Sequence, residues 1–178
     1  NYALSITAGG GLALNGTLSS GGTAGTTILA SLSGATIGLG ASSCGGNCGI
    51  SLTTTELGNI TAGSLTIGDG NNGNITVSGV SSTDSDQFGS LTLNATASGS
   101  SVTFGTSDST FQGLTVNAGN GITLSSNLTT NEVNTDRPDS SCELNVIAGT
   151  LNSPDTELST RREGVGIRES RETSEFAG

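Results

Sequence analysis

The stretch LGNITAGSLTIGDGNNGNITVSG (residues 57–79) decides the predicted fold. It holds two short apolar alternations, LTI at 65–67 and ITV at 75–77, on either side of a run of Gly, Asp and Asn that has no apolar residue. Alternation with a period of two predicts a strand with one buried face. Gly and Asn accept a positive φ at little cost, so the run between the alternations predicts a sharp corner.

The same alternation recurs along the chain, with clusters of Gly, Ser and Asn between the apolar pairs. In the central part of the chain, successive pairs begin at positions 50, 65, 75, 91, 102, 114 and 122. This spacing is a loose repeat of about 20 to 25 residues per pair of strands, each about three to five residues long. The apolar pairs are Leu4/Ile6, Leu12/Leu14, Ile37/Leu39, Ile50/Leu52, Leu65/Ile67, Ile75/Val77, Leu91/Leu93, Val102/Phe104, Leu114/Val116 and Ile122/Leu124.

The composition argues against a fold of long helices. The chain has 178 residues with 29 Gly, only 3% aromatic residues, and no His, Lys, Met or Trp. Gly and β-branched residues weaken helices, and an antiparallel sandwich or barrel uses longer strands around bulkier side chains. A narrow interior filled by Leu, Ile and Val from every coil is typical of a stacked parallel coil. We therefore predict an all-β fold, a parallel β-helix (solenoid) of short strands with outward ladders of Ser, Thr and Asn.

A change of composition near residue 135 divides the chain. All five Arg, both Pro and nine of the fifteen acidic residues lie within 136–178. The segment LNVI at 144–147 is compatible with one further strand, and little apolar periodicity follows it. We predict a β-helix repeat region over 1–135 and a charged, largely irregular or disordered tail over 136–178.

The net charge of −10 argues against a nucleic-acid partner, because phosphate contacts need clustered Lys and Arg. No apolar run approaches the ~20 residues that span a bilayer. The chain has neither an initiating Met nor a basic segment followed by an apolar one, so we expect a mature piece or an excised fragment.

Three cysteines define the first candidate site. Cys44 and Cys48 form a close pair, and Cys142 is the only other thiol. A zinc site would be one ligand short, since the chain has no His. Two interpretations of the pair stay open, a small loop disulfide from an oxidising compartment or two free thiols.

Carboxylates suggest two further candidates, and both have a simpler explanation. Asp69 lies in a Gly/Asn run that resembles one calcium-binding turn, but such sites need tandem copies, so we predict a plain corner. Asp84 and Asp86 lie two apart in the sequence, as the carboxylates of a polysaccharide-cleaving β-helix would. Neither a Lys nor a His accompanies them, so we predict a solvated turn, no catalytic residues, no metal or cofactor, and no enzymatic activity.

Threonine-rich segments raise the alternative of ice binding, which needs a regular Thr array on one flat face. The runs at 26–27, 53–55 and 129–130 are not in a constant register along the sequence. We therefore expect them to be structural.

Residues 3–133 resemble the repeat region of filamentous-haemagglutinin-like adhesins, which are bacterial exoproteins of the two-partner secretion type. The resemblance rests on the repeat style and on the phrase LTTTELGNITAGSLTIG at 52–68. Two features depart from the family. Pro occurs only at 138 and 154, so the family's secretion domain with its Asn-Pro-Asn motifs is missing, and the cysteine pair is unusual.

The resemblance implies a right-handed parallel β-helix that is exported through an outer-membrane transporter and displayed at the cell surface. The expected function is that of a fragment of a secreted bacterial adhesin or filament, a structural stalk with an adhesive surface. Expected partners are host or environmental surface glycans or proteins, with end-to-end self-association at open coil edges. The alternatives are a β-helical carbohydrate-active enzyme, or an ice- or calcium-binding β-solenoid.

Overall fold

The protein is mostly β in the computed structural model, which describes residues 2–41, 44, 47–131, 144–148, 151–152 and 158–161. These residues form fifteen strands and two helices of about one turn. Every strand pair among them is parallel. The predicted β-rich class with parallel pairing is therefore confirmed, and the two helices were not predicted.

The strands form three sheets, here called A, B and C. The strands of sheet A lie in the spatial order β1 (Leu4–Ala8), β2 (Leu18–Ala30), β5 (Ile60–Asp69), β7 (Leu91–Ala95), β10 (Leu114–Ala118) and β13 (Leu144–Ala148). Sheet B has the order β4 (Cys48–Leu52), β3 (Thr36–Gly40), β6 (Ile75–Ser78), β8 (Ser101–Phe104), β11 (Gly121–Leu124) and β14 (Leu151–Asn152). Sheet C has the order β9 (Ser109–Phe111), β12 (Leu128–Asn131) and β15 (Leu158–Arg161).

From residue 65 to residue 131 the chain passes through the sheets in a regular cycle. It follows β5 with β6 and the helix α2 (Ser82–Ser85), then β7 with β8 and β9, then β10 with β11 and β12. Leu91 pairs with Leu65 of the cycle before it and with Leu114 of the cycle after it. The length of the repeat predicted from the apolar pairs is thus close to that of one cycle. Each cycle also has a third element, α2, β9 or β12, which the apolar pairs did not predict.

The core consists of columns of apolar side chains that point inward from successive strands. Leu65, Leu91 and Leu114 are neighbours in register in sheet A, and each is at most 1% exposed. A second set of buried columns comes from sheet B, with members Ile37, Ile75, Val102 and Ile122, and Leu39, Val77, Phe104 and Leu124. Full burial of one such side chain stabilises the fold by about 1.5–3 kcal/mol, so the columns supply the main driving force.

The apolar pairs predict most strands correctly and miss others. Leu12 and Leu14 are the exception, because they lie between β1 and β2 and belong to no strand. β2 and β5 extend over 13 and 10 residues, which is longer than predicted. The predicted strand at 144–147 is confirmed as β13, and β14 and β15 also fall in the region predicted to be largely irregular. The rest of 136–178 lies outside the described residues.

The strand β4 does not follow the cycle. It comes directly after β3 in the chain, yet it lies on the side of β3 that faces away from β6. The chain therefore doubles back between Gly40 and Cys48 before it resumes with the helix α1 (Thr54–Gly58). The helix contacts β3, β4, β5 and α2.

Candidate functional site

An outward column of threonines runs across sheet A. Thr27 pairs with Thr66, Thr66 with Thr92, and Thr92 with Thr115, and each is half-buried. Adjacent strands in a sheet lie about 4.7–4.9 Å apart, so the hydroxyl and methyl groups recur at that interval. We call these four residues the threonine column.

An asparagine ladder lies beside the threonine column. Asn117 Nδ2 donates to Asn94 Oδ1 at 2.7 Å, and the two residues are neighbours in register. The position of the preceding strand is Gly68, which has φ +81°. A Cβ atom on Gly68 would overlap the backbone O of Asn94, so the ladder starts at Asn94.

Sheets B and C repeat the pattern on a smaller scale. Thr76, Thr103 and Thr123 are neighbours in register in sheet B, as are Thr110 and Thr129 in sheet C. The column residues are neutral, while the described carboxylates lie at corners and helix ends. The outward faces of the strands can therefore offer hydroxyl, methyl and amide groups to a partner.

Of the runs considered for ice binding, one residue, Thr27, belongs to the threonine column. Thr53 is the N-cap of α1, Thr26 points inward and is 1% exposed, and Thr130 is fully buried. They do not share a face, as the sequence predicted. The other three members of the column are single threonines between two apolar residues, which a search for Thr runs misses.

The corner at Asp69 is closed by its own side chains. Asp69 Oδ1 accepts from the backbone N–H groups of Asn71 at 2.7 Å and Asn72 at 3.2 Å. Asn72 is fully buried, and its Oδ1 accepts from Asp69 N at 2.6 Å while its Nδ2 donates to the O of Gly73 at 2.8 Å. These bonds account for Asp and Asn at the corner without a ligand.

Asp84 and Asp86 belong to the ends of α2 and not to an open turn. Asp84 Oδ2 accepts from the backbone N of Ser81 at 2.9 Å and from its Oγ at 2.6 Å. Asp86 follows the helix as its C-cap, and its backbone O lies 3.5 Å from Nε2 of the buried Gln112. The two residues therefore lie at opposite ends of one helix turn.

Glu56 is the carboxylate that the sequence analysis missed. Its Oε2 accepts from the backbone N and the Oγ1 of Thr53, both at 2.9 Å, and its Oε1 accepts from Leu14 N at 3.0 Å. The N–H of Thr53, then that of Leu14, hold the pKa of Glu56 below the usual 4.5. Thr53 and Glu56 form a capping box, and the spacing Thr-x-x-Glu could have revealed it.

Cys44 and Cys48 are joined by a disulfide bond. Cys48 is the first residue of β4, and Cys44 lies in the connection that leads back from β3, so the bond closes that connection at its end. Of the two interpretations left open by the sequence, the structure has the disulfide. Cys142 lies outside the described residues.

The described residues contain neither a metal cluster nor a membrane-spanning helix. No group of three or more His, Cys, Asp or Glu side chains in this part of the chain is arranged to hold a metal ion. No helix there has the length and apolar character needed to cross a membrane.

Comparison with known proteins gave no relative. No protein family, no curated protein and no solved structure matches the chain. The functional interpretation therefore depends on the columns, the corners and the disulfide.

Proposed function

We propose that the chain is a segment of a secreted, surface-displayed bacterial adhesin or filament of the filamentous-haemagglutinin-like type, in which a right-handed parallel β-helix is a rigid stalk. The observation that carries the proposal is the continuity of the columns. Leu65, Leu91 and Leu114 stack inside while Thr66, Thr92 and Thr115 stack outside. A segment that ends in the same inward and outward columns at both edges can be repeated along one axis. A stalk is built from such repeats.

Right-handed coiling is proposed on general grounds. A connection between parallel neighbours of one sheet is right-handed in about 98% of cases. The chain makes such connections from β5 to β7 and from β7 to β10.

The disulfide supports export. Disulfides persist in secreted and cell-surface proteins, whereas cytosolic thiols are kept reduced. The bond between Cys44 and Cys48 thus favours an extracellular location, and an outer-membrane transporter would export the parent protein.

The adhesive surface is assigned to the threonine column and the asparagine ladder beside it. Neutral hydroxyl and amide groups donate and accept hydrogen bonds, and they suit neutral glycans or the polar surface of a host or environmental protein. Because the same groups recur on each strand, an extended ligand can bind at several points at once.

The test is binding of the purified protein to an array of glycans and to a panel of neutral polysaccharides. The variant Thr66→Val/Thr92→Val/Thr115→Val removes three hydroxyls from sheet A and keeps the side-chain shape. The matched control removes three hydroxyls from sheet B, as Thr76→Val/Thr103→Val/Thr123→Val. We expect the first variant to weaken binding by roughly tenfold or more and the control to leave it unchanged. Equal effects of the two variants, or no ligand for the wild type, would count against the adhesive face.

Ice binding is the second candidate, favoured by the constant register of the threonine column. Hydroxyl and methyl groups at one fixed interval can order water on a flat face. Thermal hysteresis of the wild type, lost in the sheet A variant and kept in the sheet B variant, would support ice as the ligand. Freezing behaviour equal to that of an inert protein at the same concentration would exclude it.

A further inference from the structure

Residues 9–17 connect β1 to β2 and contact the outermost strand of sheet B at Gly11. Gly11 N donates to the O of Gly49 in β4 at 2.9 Å, and β4 is the outermost strand of that sheet. Leu12 and Leu14 are half-buried and pack against the core. We call residues 9–17 the strap, since it covers a strand edge without joining the sheet as a strand.

The strap is held at Leu14 by the helix α1. Leu14 N donates to Glu56 Oε1 at 3.0 Å, and Leu14 O accepts from Asn59 Nδ2 at 3.1 Å. Leu18 N, just beyond the strap, donates to Asn59 O at 2.8 Å. Both main-chain groups of Leu14 therefore depend on one turn of helix and its C-cap.

One carboxylate links the strap to the helix start. Glu56 accepts three hydrogen bonds, two from Thr53 of the capping box and one from Leu14 of the strap, and an ionised carboxylate satisfies all three donors. A protonated carboxyl group is a weaker acceptor and brings an O–H donor into a site built of donors. Protonation of Glu56 therefore opposes the closed strap.

The neighbouring charges do not replace Glu56. The described charged groups on or next to the elements packed against α1 are Asp84 and Asp86 of α2 and Asp69 at the end of β5, while β3 and β4 contribute none. Asp84 is engaged by Ser81, and Asp69 by its own corner. Within the described part of the chain, Glu56 is thus held by hydrogen-bond donors and not by a cation.

We propose that Glu56 is an acid-sensitive clasp, which keeps the strap closed over β4 at neutral pH and releases it when the carboxylate is protonated. Release frees the O of Gly49 on the edge strand β4, where another strand can pair. The role proposed for Glu56 does not depend on which ligand the proposed adhesin binds.

The direction of the pH dependence follows from the hydrogen bonds. They lower the pKa of Glu56 in the folded protein, so their stabilising contribution is complete above 4.5, the usual value in an unfolded chain. The contribution is lost as the pH falls through the lower pKa of the folded state. Opening is therefore expected only below about pH 4.5, with the strap closed throughout the neutral range.

The test is hydrogen exchange of the strap amides, measured as protection factors on the full chain between about pH 7 and about pH 3.5. Peptides from β7 provide the internal reference, and far-UV circular dichroism checks that each variant is folded. We expect wild-type strap protection to fall in acid, while β7 stays protected. Glu56→Gln should show the low strap protection already at neutral pH and no acid step.

Two matched variants separate the clasp from the helix cap. Asp84→Asn alters the corresponding capping box of α2, formed by Ser81 and Asp84, and should leave strap protection unchanged. Thr53→Ala weakens the cap of α1 but keeps the bond from Leu14 to Glu56, so the acid step should persist. Strap protection in Glu56→Gln equal to wild type at neutral pH, or an equal loss in Asp84→Asn, would overturn the proposal.

Discussion

Removal of the buried amide of Asn72 is the sharpest test of the corner geometry. The side chain is fully buried and makes two hydrogen bonds, to Asp69 N at 2.6 Å and Gly73 O at 2.8 Å. Asn72→Ala deletes both bonds and takes the partner from each of the two backbone groups. A net hydrogen bond contributes about 1 kcal/mol, and a buried polar group without a partner costs about 1–3 kcal/mol. We therefore expect a loss of about 3 kcal/mol in the free energy of unfolding.

The assay is urea unfolding followed by far-UV circular dichroism, with the midpoint read at constant m. The matched control is Asn71→Ala in the same corner, because Asn71 is exposed, and a change within about 0.5 kcal/mol is expected. Equal losses in the two variants would refute the assignment of the corner to Asn72. A wild-type midpoint that rises in millimolar calcium would refute the corner as a ligand-free turn.

Three further perturbations test the packing of the strands and of the connection between β3 and β4. Gly68→Ala places a Cβ against Asn94 O at φ +81° and should cost at least about 2 kcal/mol in chemical denaturation, whereas Gly70→Ala, where the nearest atom would be 3.4 Å away, should change stability by less than about 1 kcal/mol. Leu93→Ala empties part of a fully buried column and should cost about 2–5 kcal/mol by the same assay, and a smaller loss would mean that the surrounding side chains close around the gap. Reduction of the disulfide between Cys44 and Cys48 opens a short loop and should lower stability by about 2 kcal/mol, seen as a lower melting temperature with reductant than without.

The sequence predicts those strands in which two apolar residues flank one hydroxyl residue. Leu65 and Ile67 are both fully buried, as the alternation requires. The strand end at Thr26 and Ile28 escapes the same search, because its first inward position is a threonine whose Oγ1 donates to Ser20 Oγ at 3.0 Å. A buried polar residue that bonds to a local partner interrupts the apolar pattern in the sequence, but the strand still forms.

The position of β4 could not be predicted from spacing. Ile50 and Leu52 form a regular apolar pair, and the spacing places them next in the cycle after β3. In the structure they pair with Ile37 and Leu39 on the side facing away from β6. Which neighbour a parallel strand takes depends on the path of its connection, and the pattern within the strand holds no information about that path.

The candidate site, like the fold, could be predicted from the sequence only in part. Carboxylates attract attention in a sequence with few charges, yet Asp69, Asp84 and Glu56 are all explained by backbone N–H groups at corners and helix starts. The alternation predicts outward ladders of Thr and Asn. Which threonines share one column depends on strand register, because the members lie far apart along the chain. Corners and helix caps can be predicted from a few neighbouring residues. A surface formed by residues of several strands cannot be predicted in this way.

The unequal lengths of the connections between paired strands have an evolutionary consequence. The chain between Thr26 and its partner Leu65 is far longer than the chain between Leu91 and its partner Leu114, yet the pairing from Gly25 to Ile28 stays in register. Extra residues are therefore accommodated at corners, where lengthening a connection costs little free energy. A lineage can gain or lose whole loops, a helix turn or a disulfide-closed detour while the inward and outward columns stay aligned. Such a chain can diversify its surface quickly and keep one scaffold.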